Sequence, residues 1–106
     1  MNKYTELSDF EINKKVAITF HKDSDFIEQY DNKTIYVDGN MFDPCNNPTD
    51  AMPIVFENGI SLISDWNEVG VWGATNQPWY SSENKNPLRA AMEVFLMMKD
   101  AENEEV

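Results

Sequence analysis

NPLRAAMEVFLMMK, residues 86–99, decides the architecture of this chain. Asn86 is a good N-cap, and Pro87 suits the first helical position, where a missing N–H does no harm. From there Leu88, Ala91, Met92, Phe95 and Met98 form one stripe, and Ala90, Val94, Met97 and Ala101 form a second. A helix apolar around most of its circumference is buried on more than one side. The spacing therefore predicts the central helix of the fold, with methionines filling an irregular core. Polar ground remains at Arg89, Glu93, Lys99 and Asp100, and Arg89 and Glu93, four apart, are expected to pair in solvent. The same helix could serve self-association, which leaves a monomer or a small homo-oligomer as the expected state.

Outward from this helix, Ser8-Asp9-Phe10-Glu11 fits a capping box, in which Ser8 and Glu11 satisfy each other's backbone donors. Phe10, Ile12, Val16, Ala17 and Phe20 follow at helical spacing, so a first helix is expected over about 9–20. Residues 21–32 are polar, anchored by Phe26, Ile27 and Tyr30, and read as a loop or a short strand. KTIYVD, residues 33–38, reads as a strand stopped by Gly39-Asn40. Asn47 can cap a short helix with Pro48 in its first turn and Asn58-Gly59 as its stop. Pro53 would remove a hydrogen bond to Thr49 and kink its start. ISLIS, residues 60–64, and residues 69–75 read as a hairpin. Gly70 and Gly73 mark a bulge or a close backbone approach within it. Residues 76–85 read as a long polar loop. The expected fold is α+β: an antiparallel sheet of about three strands on two or three helices, the C-terminal helix central. A length of 106 residues suits a single domain, ending in a frayed acidic tail over 102–106.

Charge excludes several function classes. Nineteen acidic residues against eight basic ones give a formal net charge of −11. Direct nucleic-acid binding needs clustered Lys and Arg, and an anionic membrane surface would repel this chain. One cysteine forbids an internal disulfide and fits a reducing cytosol. The N-terminal stretch MNKYTELSDF lacks an apolar signal core, and no apolar run approaches a membrane span. A soluble cytoplasmic protein is expected.

Catalytic sets are scarce. Cys45 and His21 are single copies, and acidic Asp43 and Asp50 near Cys45 oppose thiolate formation. One His and one Cys cannot build a structural zinc site. Asp23, Asp25, Glu28 and Asp31 lack the glycine and terminal glutamate of an EF-hand loop, and no phosphate-binding glycine loop exists. No enzyme activity, cofactor or metal is expected. The remaining chemistry is surface: Asp23, Asp25, Glu28, Asp31, Asp38 and Asp43 form an acidic series, and an extended Asp23-Ser24-Asp25 would hold carboxylates about 6.6 Å apart. Such an array suits the basic surface of a nucleic-acid-binding protein. Trp66, Trp79 and Tyr80 are candidate aromatic contacts. The competing reading is a small-ligand protein or enzyme with a pocket built from Trp72, Trp79, Asn46 and Asn47.

Three blocks carry a resemblance: LSDFEINKKVA at 7–17, CNNPTDAMPIVFENGISL at 45–62 and NPLRAAMEVFLMM at 86–98. Together they resemble the NinX family of small phage and prophage proteins, the C-terminal block being the most specific. Residues 21–42 and 76–86 lie outside this likeness. The resemblance implies a phage accessory role in an infected bacterial host and supplies no catalytic residue. With the charge, it implies a non-enzymatic inhibitor of a host nucleic-acid-binding complex. Anti-defence action is one such case, for example anti-CRISPR activity by acidic DNA mimicry.

Overall fold

Local rules explain where each helix of the computed structural model begins; it describes residues 2–76 and 79–104. Helix α1 (Asp9–Phe20) carries the full capping box: Ser8 Oγ accepts from the Glu11 N–H at 3.1 Å, and Glu11 accepts from the Ser8 N–H at 3.1 Å. The Ser8 N–H, with the Ser8 hydroxyl, holds the Glu11 carboxyl below its usual range. Helix α2 (Pro48–Asn58) starts on Asn47, whose side chain accepts from the Thr49 N–H, and stops on Gly59 at φ 63°. Pro53 lies on its exposed side, and the helix runs through it instead of breaking. Helix α3 (Pro87–Glu104) starts on Asn86, whose Oδ1 accepts from the Leu88 N–H at 2.9 Å.

Six strands are present among the described residues. Strands β1 (Ile27–Tyr30), β2 (Thr34–Val37) and β3 (Asn40–Phe42) form one antiparallel meander. Strands β4 (Ser61–Ile63), β5 (Trp72–Asn76) and β6 (Tyr80–Asn84) form a second. The expected α+β arrangement holds, with two three-stranded sheets where one was expected. The β2–β3 connection is a two-residue turn with Asp38 at φ 50° and Gly39 at φ 85°. An Asp-Gly pair suits the primed turn that such a hairpin requires. The loop expected over 76–85 is instead mostly β6, which pairs along β5; residues 77 and 78 of that loop lie outside the described residues.

Helix α3 packs on the second sheet and against both α1 and α2, while α1 covers β2 of the first sheet. Ile12, Val16, Ile35, Ile54, Met92 and Phe95 are fully buried between these layers. The central position expected for α3 is therefore its position. It carries the chain to Glu104; residues 105 and 106 of the expected acidic tail lie outside the described residues.

The Arg89–Glu93 pair is the main correction to the sequence reading, because both residues are buried. Arg89 Nε donates to Glu93 Oε2 at 2.6 Å and Nη1 to Asp9 Oδ1 at 2.6 Å. Nη2 donates to the carbonyls of Tyr4 at 2.9 Å and Leu7 at 2.7 Å. Glu93 Oε1 accepts from Ser82 Oγ and from Asn2 Nδ2. Burial works against the Arg89 charge, but hydrogen bonds to Asp9 and Glu93 outweigh it and raise the pKa. Five guanidinium donors in a fixed fork let one arginine join α3, α1 and the N-terminal segment.

Candidate functional site

The first sheet has two chemically different faces, and its register decides which residues share them. Successive side chains alternate across a strand, and β2 follows this by burying Ile35 and Val37 toward α1. Thr34 and Tyr36 therefore stand on the opposite face. Glu28 and Met41 flank Tyr36 across the ladder, and Tyr30 sits beside Thr34. Phe26, just before β1, joins the outer face by the same alternation. Its N–H donates to Asp38 Oδ1 at 3.3 Å, and its carbonyl accepts from the Asp38 N–H at 2.8 Å.

The outer face is largely open to solvent. Phe26 is 65% exposed, Met41 60% and Tyr30 50%. The Tyr30 ring meets Tyr36 edge-on, 5.1 Å between centroids, and its hydroxyl donates to Glu28 Oε2 at 3.2 Å. The Glu28 charge, aided by that hydrogen bond, holds the Tyr30 phenol above its usual pKa.

Carboxylates surround this aromatic centre. Asp31 lies in the β1–β2 turn and Asp38 in the β2–β3 turn, both at positive φ that short polar side chains tolerate. Asp23 and Asp25 are exposed just upstream, in a turn and a bend instead of the extended run first expected. Only Lys22 and Lys33 offset them between residues 22 and 42. The acidic series thus meets an apolar, aromatic surface, a combination suited to Lys and Arg side chains.

The other candidate residues are placed elsewhere. Asp43 is half-buried and accepts from Asn13 Nδ2 at 2.7 Å and Asn46 Nδ2 at 3.2 Å, so it joins α1 to the start of α2. Trp66 lies across Gly73 of β5: a Cβ at 73 would sit 2.3 Å from Trp66 Cδ2. The close approach expected at Gly73 is therefore an indole ring. Trp66 also lines an open cleft of about 370 Å³ with Asn2, Thr5, Ser82 and Glu83. Trp79 is exposed before β6, and Tyr80, on β6, packs against the core. Trp66, Trp79 and Tyr80 belong to the second sheet and its loops, apart from the acidic face in the fold. Asn46 bonds Asp9, Asp43 and Asn86, and Asn47 caps α2, which commits both to structure.

Nucleophilic chemistry at Cys45 is disfavoured. Burial first, and the Asp9 carboxylate second, push its pKa well up. His21 is wedged edge-on between the Phe20 and Phe42 rings. Among the described residues, no group of three or more His, Cys, Asp and Glu side chains gathers to hold a metal ion. No helix among them is long and apolar enough to cross a membrane.

Tyr36 and Met41 completed the outer face without having been singled out by sequence, and Phe26 and Tyr30, expected as anchors, lie exposed on it. The Asp38-Gly39 dipeptide was the available sign, because its turn fixes the hairpin and hence the face. A family model described as Bacteriophage P22, NinX matches residues 3–99. No curated protein and no solved structure matches the chain.

Proposed function

This chain belongs to the Bacteriophage P22 NinX family, and from that premise we propose that it works as a binding protein whose contact face is the outer surface of β1–β2–β3. It is a phage accessory protein. In this reading it acts without catalysis, engaging a host protein or complex through that partner's basic nucleic-acid-binding surface. Anti-defence inhibition, such as anti-CRISPR activity by acidic DNA mimicry, is the form of this action that the charge favours.

The single observation that carries the reading is the joint exposure of Phe26, Tyr30 and Met41 inside a rim of Asp23, Asp25, Glu28, Asp31 and Asp38. Solubility alone would require the charges but not the exposed aromatic centre. Aromatic side chains at the middle of a polar rim are the usual anatomy of a contact surface. The carboxylates would speed association with a basic surface, and added salt would screen them.

The test is capture from host lysate at low salt, with Glu28→Lys and Tyr30→Ala as controls. A nucleic-acid-binding protein should be recovered by the wild type, released by salt or competing DNA, and lost with either variant. Recovery of no partner, or equal recovery by both variants, would reject the reading.

A further inference from the structure

We propose that the partner contributes an extended segment, alternating aliphatic residues with Lys or Arg, which pairs with the free edge of β1 as a fourth strand of the first sheet. This deepens the acidic-face reading and rests on it. Among the described residues strand β1 pairs with β2 alone, so its other side is a sheet edge. The turn at Asp38-Gly39 sets which backbone groups face that edge. Val37 and Asn40 flank a two-residue turn and exchange hydrogen bonds, so Ile35 and Val37 point theirs toward β3. Thr34 and Tyr36 then point toward β1 and pair with Tyr30 and Glu28. By this alternation Ile27 and Gln29 direct their N–H and C=O groups away from the sheet. The hydrogen bond from the Asp38 N–H to the Phe26 carbonyl continues the same alternation.

The flanks of this edge set the pattern of the incoming strand. On the helix side, Lys14, Ile18, Ile27, Gln29 and Ile35 line a groove of about 140 Å³ that Glu28 also borders, with Ile18 exposed on α1. Aliphatic side chains fit there, against Ile18, Ile27 and Ile35. On the outer side, Glu28 and Tyr30 receive the alternate residues, and a guanidinium can bond the carboxylate and lie over the ring. A second copy of this chain is a poor occupant. Antiparallel pairing of two β1 edges can set the Glu28 carboxylates of both copies opposite each other, on chains each carrying −11. The same charges that discourage self-pairing favour a basic strand.

Hydrogen exchange on the labelled protein, with a short synthetic peptide alternating Val with Lys and Arg, tests the pairing. The Ile27 and Gln29 amides should slow by about tenfold or more, while the already paired Glu28 and Tyr30 amides change less. The same peptide methylated on alternate backbone nitrogens should bind at least about tenfold more weakly, as should Gln29→Pro, which blocks the edge without removing a β1–β2 hydrogen bond. Binding that leaves Ile27 and Gln29 unprotected, or that survives both blocks, overturns the edge. If Glu28→Lys still abolishes that binding, the acidic-face reading stands without it. No peptide binding by the wild type also overturns the edge, and host capture then decides the face independently.

Discussion

Arg89 and Glu93 stand one helical turn apart and meet at 2.6 Å, their side chains only 8% and 1% exposed. Removing one member of such a pair strands a buried charge, which costs about 3–5 kcal/mol. The two losses should differ. Glu93→Leu leaves Arg89 bonded to the partly exposed Asp9, whereas Arg89→Met leaves Glu93 with the neutral Ser82 and Asn2. Urea unfolding should therefore show Arg89→Met as the more damaging change. The double variant should be less destabilised than the sum of the two. A wild-type midpoint for Arg89→Met would contradict this account.

Gly73→Ala places a methyl group against the Trp66 ring and forces the indole or the strand to move. Overpacking of this kind costs about 1–3 kcal/mol. In a Trp66→Ala background the same change should be almost silent, since the obstructing ring is gone. Equal penalties in both backgrounds would place the strain elsewhere.

Alkaline pH should destabilise the fold. Burial and nearby carboxylates hold the Cys45 thiol and the Tyr4 phenol well above their usual pKa values. The unfolded chain releases these protons near pH ~8.5 and ~10, respectively. The folded form retains them, so their contribution is complete below those values and is lost as pH rises. Urea midpoints should fall from about pH 8.5 upward. Cys45→Ala should lower the whole curve through lost packing but delay its decline to about pH 10. A flat profile through this range would exclude the mechanism. Native Cys45 should also resist a thiol reagent that labels the unfolded chain at once.

Substitutions on the outer face should leave stability nearly unchanged. Glu28→Lys, Tyr30→Ala and Met41→Ser remove exposed groups from a sheet whose core side is Ile35, Val37 and Phe42. Each should shift unfolding by no more than about 0.5 kcal/mol, the range of ordinary surface changes. Thermal melts can check this. A large loss would make the face a structural element and weaken its role in contact.

The helices were legible because their ends obey local chemistry. Ser8 and Glu11, Asn47 and Gly59, and Asn86 and Pro87 act on backbone groups within a turn of themselves, so sequence neighbours suffice to find them. Strand β6 was not legible, since Tyr80-Ser81-Ser82-Glu83-Asn84 has little intrinsic strand preference and depends on its pairing with β5. Strand β3, three residues long, offered too short a pattern. The depth of Arg89 was hidden for another reason: its partners at Asp9, Tyr4 and Leu7 are some eighty residues away. At the candidate site, the acids were visible by composition. Only the register showed that Glu28 stands beside Tyr36 and Met41, and only the two turns put Asp31 and Asp38 at the ends of the same sheet.

Helix α3 is translated after every element that it packs against. Until Arg89 has left the ribosome, the Tyr4 and Leu7 carbonyls lack the guanidinium they accept from, and the second sheet has no helix to cover it. Until α3 emerges, the nascent chain therefore keeps the apolar faces of these elements exposed, a state in which proteases and chaperones compete for it. One helix then supplies both the core and its fastening.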